Sequence, residues 1–191
     1  MNAEDIAKDI QSAVEVLRNG GLILYPTDTI WGIGCDATNT RAVERLFELK
    51  HRPGAKAMIS LVSSLDMLYS WVEAVPNEAL EEIQEADRPL TVIYDSPKGI
   101  SECLKAEDGS SAFRITSLPY TQSLCAELGK PVVSTSANIS GEPSPALFDE
   151  INLSLLEGVD YVCRYGRERS GVLPSRIIKI CNSGEKFIIR E

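Results

Sequence analysis

Segments of helical periodicity alternate with short apolar runs along almost the whole chain, and Gly or Pro stands at most of the junctions. This alternation restricts the fold more than any other feature, because a 3.6-residue period and a two-residue period bury their apolar positions in different elements. Ile6, Ile10, Val14 and Leu17 recur at helical spacing before Gly20, so a helix is expected over about residues 4–18. Gly20 and Gly21 then turn the chain into a strand at Leu22 to Tyr25. A second helix, from Asn39 or Thr40, carries Val43, Leu46, Phe47 and Lys50 on one face and is ended by Pro53. Strands are expected at 57–62, 90–94 and 112–116, helices at 65–71 and 76–86, and a further helix between Pro119 and Gly129. It leads into "PVVSTSAN"; a short helix start at Ser144-Pro145 and strands at 161–164, 176–180 and 187–190 follow. Strands separated by helices and strands joined by short turns both occur, which predicts an α/β fold with a mixed sheet.

At 191 residues and 43% hydrophobic content, the chain suits one sizeable core, and a single domain over 1–191 is expected. The acidic start "MNAEDIAKDI" lacks a signal's basic and apolar regions, and no apolar run approaches the roughly 18 residues of a membrane span. A soluble, cytoplasmic protein without a membrane partner is the expectation. Its five cysteines, Cys35, Cys103, Cys125, Cys163 and Cys181, offer neither a disulfide framework nor a CxxC metal pair, and read as small buried residues. The net charge of −9 opposes general attraction to a phosphate backbone. Acid gathers in Glu73 to Asp87, however, while Arg41, Arg45, Lys50, Arg52 and Lys56 crowd one stretch, which permits a local anion site.

What is missing narrows the chemistry. His51 is the only histidine, no G-x-S-x-G surrounds a serine, and no GxxxxGK[ST] loop occurs. Gly32, Gly34 and Ala37 match G-x-G-x-x-A, but helix signals begin only near Asn39, too late for a dinucleotide fingerprint. Lys50 lies on the apolar face of its helix, where it either meets an anion or snorkels past the helix end. Arg52 and Lys56 follow it in "KHRPGAK", around Pro53 and Gly54, and three cations on a rigid turn suit a polyphosphate. His51 points away from Lys50 and reads as a surface residue.

In "SSAFRITS", alternation puts Ser110, Ala112, Arg114 and Thr116 on one strand face, either a site or a solvated surface. In "VVSTSANISG", Ser134, Ser136 and Asn138 share a face if the chain is extended, and small hydroxyls with an amide can bind phosphate or carboxylate; a capping turn is the alternative. Several cations, many hydroxyls and no nucleophile fit chemistry by positioning and charge stabilisation on a nucleotide triphosphate.

"YPTDTIWGIG", "KHRPGAKAMISLV", "SSAFRIT" and "PVVSTSANISG", in that order, closely resemble the YrdC family of threonylcarbamoyl-AMP synthases. The resemblance runs from about Gly20 to the C-terminus. It implies a twisted mixed sheet flanked by helices around a concave basic cavity. It also implies synthesis of threonylcarbamoyl-AMP from L-threonine, bicarbonate and ATP with Mg2+, releasing pyrophosphate, in service of tRNA t6A modification and a downstream threonylcarbamoyl transferase complex. Carried over by position, Thr29, Arg114, Ser136 and Ser175 would meet threonine, and Arg52, Lys56, Ser110, Ser134, Asn138 and Arg190 would meet ATP. Lys50 would stand with Arg52 and Lys56 as catalytic cations, no residue would ligate a metal directly, and Tyr25 and Trp31 would form a wall. The break in the apolar run at Pro26 would then present hydroxyls to an amino acid. Three departures stand out: Asp87-Arg88 replaces the family's usual Pro-Gly, Ser175-Arg176 replaces a Ser-Thr pair, and Arg190 is penultimate, where chain ends fray. A regulatory paralogue that binds tRNA or double-stranded RNA weakly, without synthase activity, is the alternative.

Overall fold

The computed structural model describes residues 1–51, 58–171 and 173–191. Among these residues the strands are β1 (Ile23–Tyr25), β2 (Gly32–Gly34), β3 (Ile59–Val62), β4 (Leu90–Tyr94), β5 (Ser111–Ile115), β6 (Val132–Ser136), β7 (Tyr161–Val162), β8 (Arg176–Ile180) and β9 (Lys186–Arg190). They form one sheet in the order β7-β1-β2-β6-β3-β5-β4-β8-β9. The pairs β1–β7, β3–β5 and β4–β8 are parallel and the other neighbours antiparallel, so the sheet is mixed.

The helices are α1 (Ala3–Arg18), α2 (Thr40–Leu49), α3 (Leu65–Trp71), α4 (Asn77–Glu85), α5 (Pro119–Leu128) and α6 (Leu153–Gly158). Asn2 caps α1 through a hydrogen bond from the Asp5 amide at 2.8 Å, and Asn39 caps α2 from the Ala42 amide at 3.2 Å. Gly129 ends α5 in the left-handed conformation, at φ 72°.

Both faces of the sheet are covered, and β1 shows how. Ile23 and Tyr25 join Ile10, Val14 and Leu17 of α1 and Leu124 of α5 in one apolar cluster. Leu22 and Leu24 point to the other side, into a cluster with Val43 and Leu46 of α2 and Leu68 of α3. Each large aliphatic side chain so buried contributes about 1.5–3 kcal/mol relative to exposure. Gly34 lets β2 approach β6: a Cβ there would lie 1.8 Å from the Val133 carbonyl oxygen.

β7 lies at one margin of the sheet, seven strands along from β8, and β9 forms the other margin.

Several expected elements differ. The helix start expected at Ser144-Pro145 is not helical; a 3-10 turn forms at Phe148–Glu150 instead, and α6 follows, neither of which the apolar spacing predicts. Gly32–Gly34 is a strand, which removes the dinucleotide-turn reading. The strand expected from residue 57 runs from Ile59, and residue 57 itself lies outside the described residues. Cys35, Cys125 and Cys163 are buried as expected, whereas Cys103 and Cys181 are only partly so. No helix among the described residues is long and apolar enough to cross a membrane.

Candidate active site

The loop between β1 and β2 is built by its own hydroxyls. The Thr27 hydroxyl donates to the Ile30 carbonyl at 2.7 Å and accepts from the Thr29 amide at 3.0 Å. Thr29 Oγ1 lies 3.0 Å from Thr27 Oγ1. Because the single Thr27 proton goes to Ile30, Thr29 is the donor in that contact. Thr29 Oγ1 therefore faces its other neighbours as an acceptor, and Arg114 Nη2 approaches it at 3.4 Å.

Arg114 comes from the middle of β5 and is 4% exposed, so its strand face is not the solvated surface that alternation left open. Its Nη2 also lies 3.0 Å from Asp28 Oδ1, and each of the two side chains is only 3% exposed. Asp28 Oδ2 accepts from the Ser117 amide at 3.1 Å and the Ser117 hydroxyl at 3.4 Å.

These groups adjoin a cleft of about 410 Å³, within the range of small-molecule sites. Thr27, Thr29 and Trp31 line it from the β1–β2 loop, Ser134, Thr135 and Ser136 from β6, Arg114 from β5, and Ser175 and Arg190 from the C-terminal strands. Among its described lining residues are two guanidiniums and no carboxylate. Arg190, expected to fray, is fastened: its Nη2 and Nε donate to the Ser175 carbonyl at 2.7 and 3.0 Å. Burial, and then the nearby Arg114 charge, lower the Arg190 pKa from its ordinary value, as two cations held over one cleft require.

The remaining predicted residues divide. Lys50 closes the C-terminus of α2, is 2% exposed, and donates to the Ser136 carbonyl through its ammonium. It is thus turned inward to a cleft strand rather than snorkelling to solvent. His51 is exposed, as its helix position predicts. Ser110 is committed to Asp108, with its hydroxyl donating at 2.6 Å, and is not among the lining residues. Asn138 lies beyond the end of β6, so it does not share an extended face with Ser136; its Nδ2 donates to the Ile139 and Glu142 carbonyls at 2.9 and 2.7 Å. Tyr25 does not wall the cleft: it lies buried beneath, its hydroxyl donating to the Val133 carbonyl at 3.0 Å. Arg52 and Lys56 lie outside the described residues.

Two residues given no role by the sequence matter here. Thr91 Oγ1 sits 2.9 Å from Ser175 Oγ, so a buried hydroxyl of β4 holds the Ser175 side chain. Asp28 supplies the carboxylate that a buried arginine needs, a signal available from the burial of Arg114 but not from spacing.

A mixed α/β sheet with helices on both faces, opening to a hydroxyl-lined cleft with two arginines, defines a small-molecule-binding protein suited to anionic ligands. The chain belongs to the Sua5/YciO/YrdC family, whose model, described as telomere recombination, matches residues 15–191. It is 39% identical over 160 residues to the threonylcarbamoyl-AMP synthase of Xanthomonas euvesicatoria pv. vesicatoria (strain 85-10), covering 79% of this chain and 84% of that one. To the threonylcarbamoyl-AMP synthase of Xanthomonas oryzae pv. oryzae (strain PXO99A) it is 36% identical over 156 residues, 78% of this chain and 83% of that one. Its fold is similar to that of E. coli YciO, with a TM-score of 0.81 at 27% identity, covering 95% of this chain and 88% of that one. It is also similar to P. abyssi Sua5 complexed with L-threonine, with a TM-score of 0.78 at 26% identity over 89% of this chain; the chain spans 50% of that protein's length.

Proposed function

We propose that this protein is a threonylcarbamoyl-AMP synthase, joining L-threonine, bicarbonate and ATP and releasing pyrophosphate for t6A modification of tRNA. The family and the names of its relatives support the activity. The observation that carries it to particular residues is Arg114, buried against Thr29 at a cleft it shares with Arg190, Ser134 and Ser136.

In this reading the threonine carboxylate meets Arg114, with Thr29, Ser136 and Ser175 around the amino acid. Thr29 Oγ1, its proton already given to Thr27, accepts from the substrate's amine or hydroxyl. The amine adds to bicarbonate with loss of water to form an N-carboxylate. This carboxylate attacks the α-phosphorus, and the bond to the pyrophosphate oxygen breaks. Arg190, Ser134 and the Lys50, Arg52 and Lys56 cations hold the nucleotide and its leaving group, while Ser110 and Asn138 shape the loops behind it. The catalysis is positional, and no covalent enzyme intermediate is involved. The described cleft lining offers hydroxyls rather than carboxylates, so Mg2+ fits as a companion of the ATP phosphates, which it would help to neutralise. The product passes to a threonylcarbamoyl transferase complex.

The test is pyrophosphate release by the purified protein with ATP, Mg2+ and bicarbonate, with and without L-threonine. Release that requires both threonine and bicarbonate is expected. ATP cleavage indifferent to threonine, or none despite ATP binding, would overturn the reading, and salt-dependent RNA binding would then favour the paralogue.

A further inference from the structure

Asp28 sits between two threonines in the β1–β2 loop, yet it is not among the residues lining the cleft. Its side chain is buried, and its two oxygens have different neighbours. Oδ1 lies 3.0 Å from Arg114 Nη2. Oδ2 is held from the opposite side by the amide and hydroxyl of Ser117, at 3.1 and 3.4 Å. Ser117 follows β5, the strand that carries Arg114, so the carboxylate bridges the loop to the end of the arginine's own strand.

Both described contacts of the Arg114 guanidinium, to Asp28 and to Thr29, are made by Nη2. Its Nε is buried and has no hydrogen-bond partner, and Asp28 Oδ1 meets Nη2 as an ion pair without hydrogen-bond geometry. Both forked edges of a guanidinium include Nη2, so with Nη2 turned to Asp28 and Thr29 the donors of Nη1 are left for a ligand, and they meet a carboxylate in a set direction only when the guanidinium plane is fixed. Charge gives a second reason. Arg114 and Arg190 together bring two positive charges close enough for the Arg190 pKa to respond. Asp28 offsets the Arg114 charge, so the buried guanidinium is not left uncompensated before the substrate binds.

Resting on the synthase reading, we infer that Asp28 is a positioning residue. Its buried ion pair holds Nη2 of Arg114, so that the remaining guanidinium donors select the α-carboxylate of the amino acid substrate. It touches neither substrate nor reacting atoms.

The experiment is steady-state pyrophosphate release by the wild type, Asp28→Asn, Arg114→Gln and the double variant, with folding checked by thermal melts. Asp28→Asn keeps the shape and removes the charge. Its KM for L-threonine rises at least tenfold, while its kcat stays within threefold and its KM for ATP within twofold. Preference for L-threonine over L-threonine amide falls at least tenfold, and the double variant is within threefold of Arg114→Gln alone. A role confined to folding would lower kcat and disturb both substrates together. Should Asp28→Asn fail to melt cooperatively, Asp28→Glu replaces it: with the charge kept one methylene out of place, its threonine KM lies between those values. An unchanged threonine KM, or additive losses in the double variant, overturns the inference while leaving the synthase reading intact. A wild type with no threonine-dependent release and no calorimetric L-threonine binding overturns both.

Discussion

The penultimate residue, Arg190, is fastened to Ser175 by two hydrogen bonds to one carbonyl, from Nη2 at 2.7 Å and Nε at 3.0 Å. Arg190 Nη2 also reaches Ser175 Oγ at 3.3 Å, and that hydroxyl lies 2.9 Å from Thr91 Oγ1. A chain terminus is ordered here because β9 pairs with β8 and its last arginine is spent on the strand's entry. On the proposed assignment of Arg190 to the nucleotide, replacing it by Ala raises the KM for ATP on the order of 10- to 100-fold. Replacing it by Lys keeps the charge but loses the fork onto Ser175, and recovers only part of that loss. Substrate-saturation kinetics with ATP varied are the check.

Lys50 supplies the next prediction. Its buried ammonium satisfies the Ser136 carbonyl, so Lys50→Met removes a donor and destabilises the protein by about 1–3 kcal/mol in urea unfolding. On the proposed role of Lys50 at the phosphates, activity falls more than stability accounts for. Full activity in a folded Lys50→Met protein would contradict its catalytic role.

Two glycines separate space from conformation. A Cβ at Gly34 would lie 1.8 Å from backbone, so Gly34→Ala must part β2 from β6 and costs more than about 3 kcal/mol. At Gly129 nothing lies within 4 Å, and only the left-handed φ of 72° is strained, so Gly129→Ala costs about 1–2 kcal/mol. Denaturant midpoints of the two variants, compared at constant slope, give the difference.

The thiols report on the core. Cys103 and Cys181 are partly exposed, so a chromogenic disulfide reagent titrates these two in the native protein and all five only after unfolding. Burial pushes the Cys125 and Cys163 thiols up to about 12 from an ordinary 9.0. Their neutral forms therefore contribute stability that is intact below pH 9, where the unfolded thiols are still protonated. It is lost between about pH 9 and pH 12, as the unfolded thiols ionise before the native ones. A melting temperature that declines across that window, and declines less in Cys125→Ala than in the wild type, is the expected result.

Much of the architecture is legible along the chain because it rests on local rules. The apolar spacing of Ile10, Val14 and Leu17, the caps at Asn39 and Gly129, and the short apolar runs at Leu90–Tyr94 and Arg176–Ile180 act within a few residues, and elements form where they predict. The family, too, is carried by contiguous motifs. Ser144-Pro145 misleads because a Pro after Ser is as compatible with extended chain as with a helix start. α6 escapes because six residues are too few to display a period.

What the tertiary structure alone decided is which polar groups meet. Nothing in the spacing of Asp28 and Arg114, or of Thr91, Ser175 and Arg190, relates them, since they lie on different strands or in the loops between them. Strand order brings them together, and burial then favours the pairing, because a guanidinium taken out of water is costly without a carboxylate and a buried hydroxyl costly without a partner. The sequence by itself determined which segments become helices and strands and which motifs the site is made from. The folded sheet decided that Asp28 pairs with Arg114, that Arg190 does not fray, and that Tyr25 lies under the cleft rather than in it, because those outcomes depend on neighbours far apart in the chain.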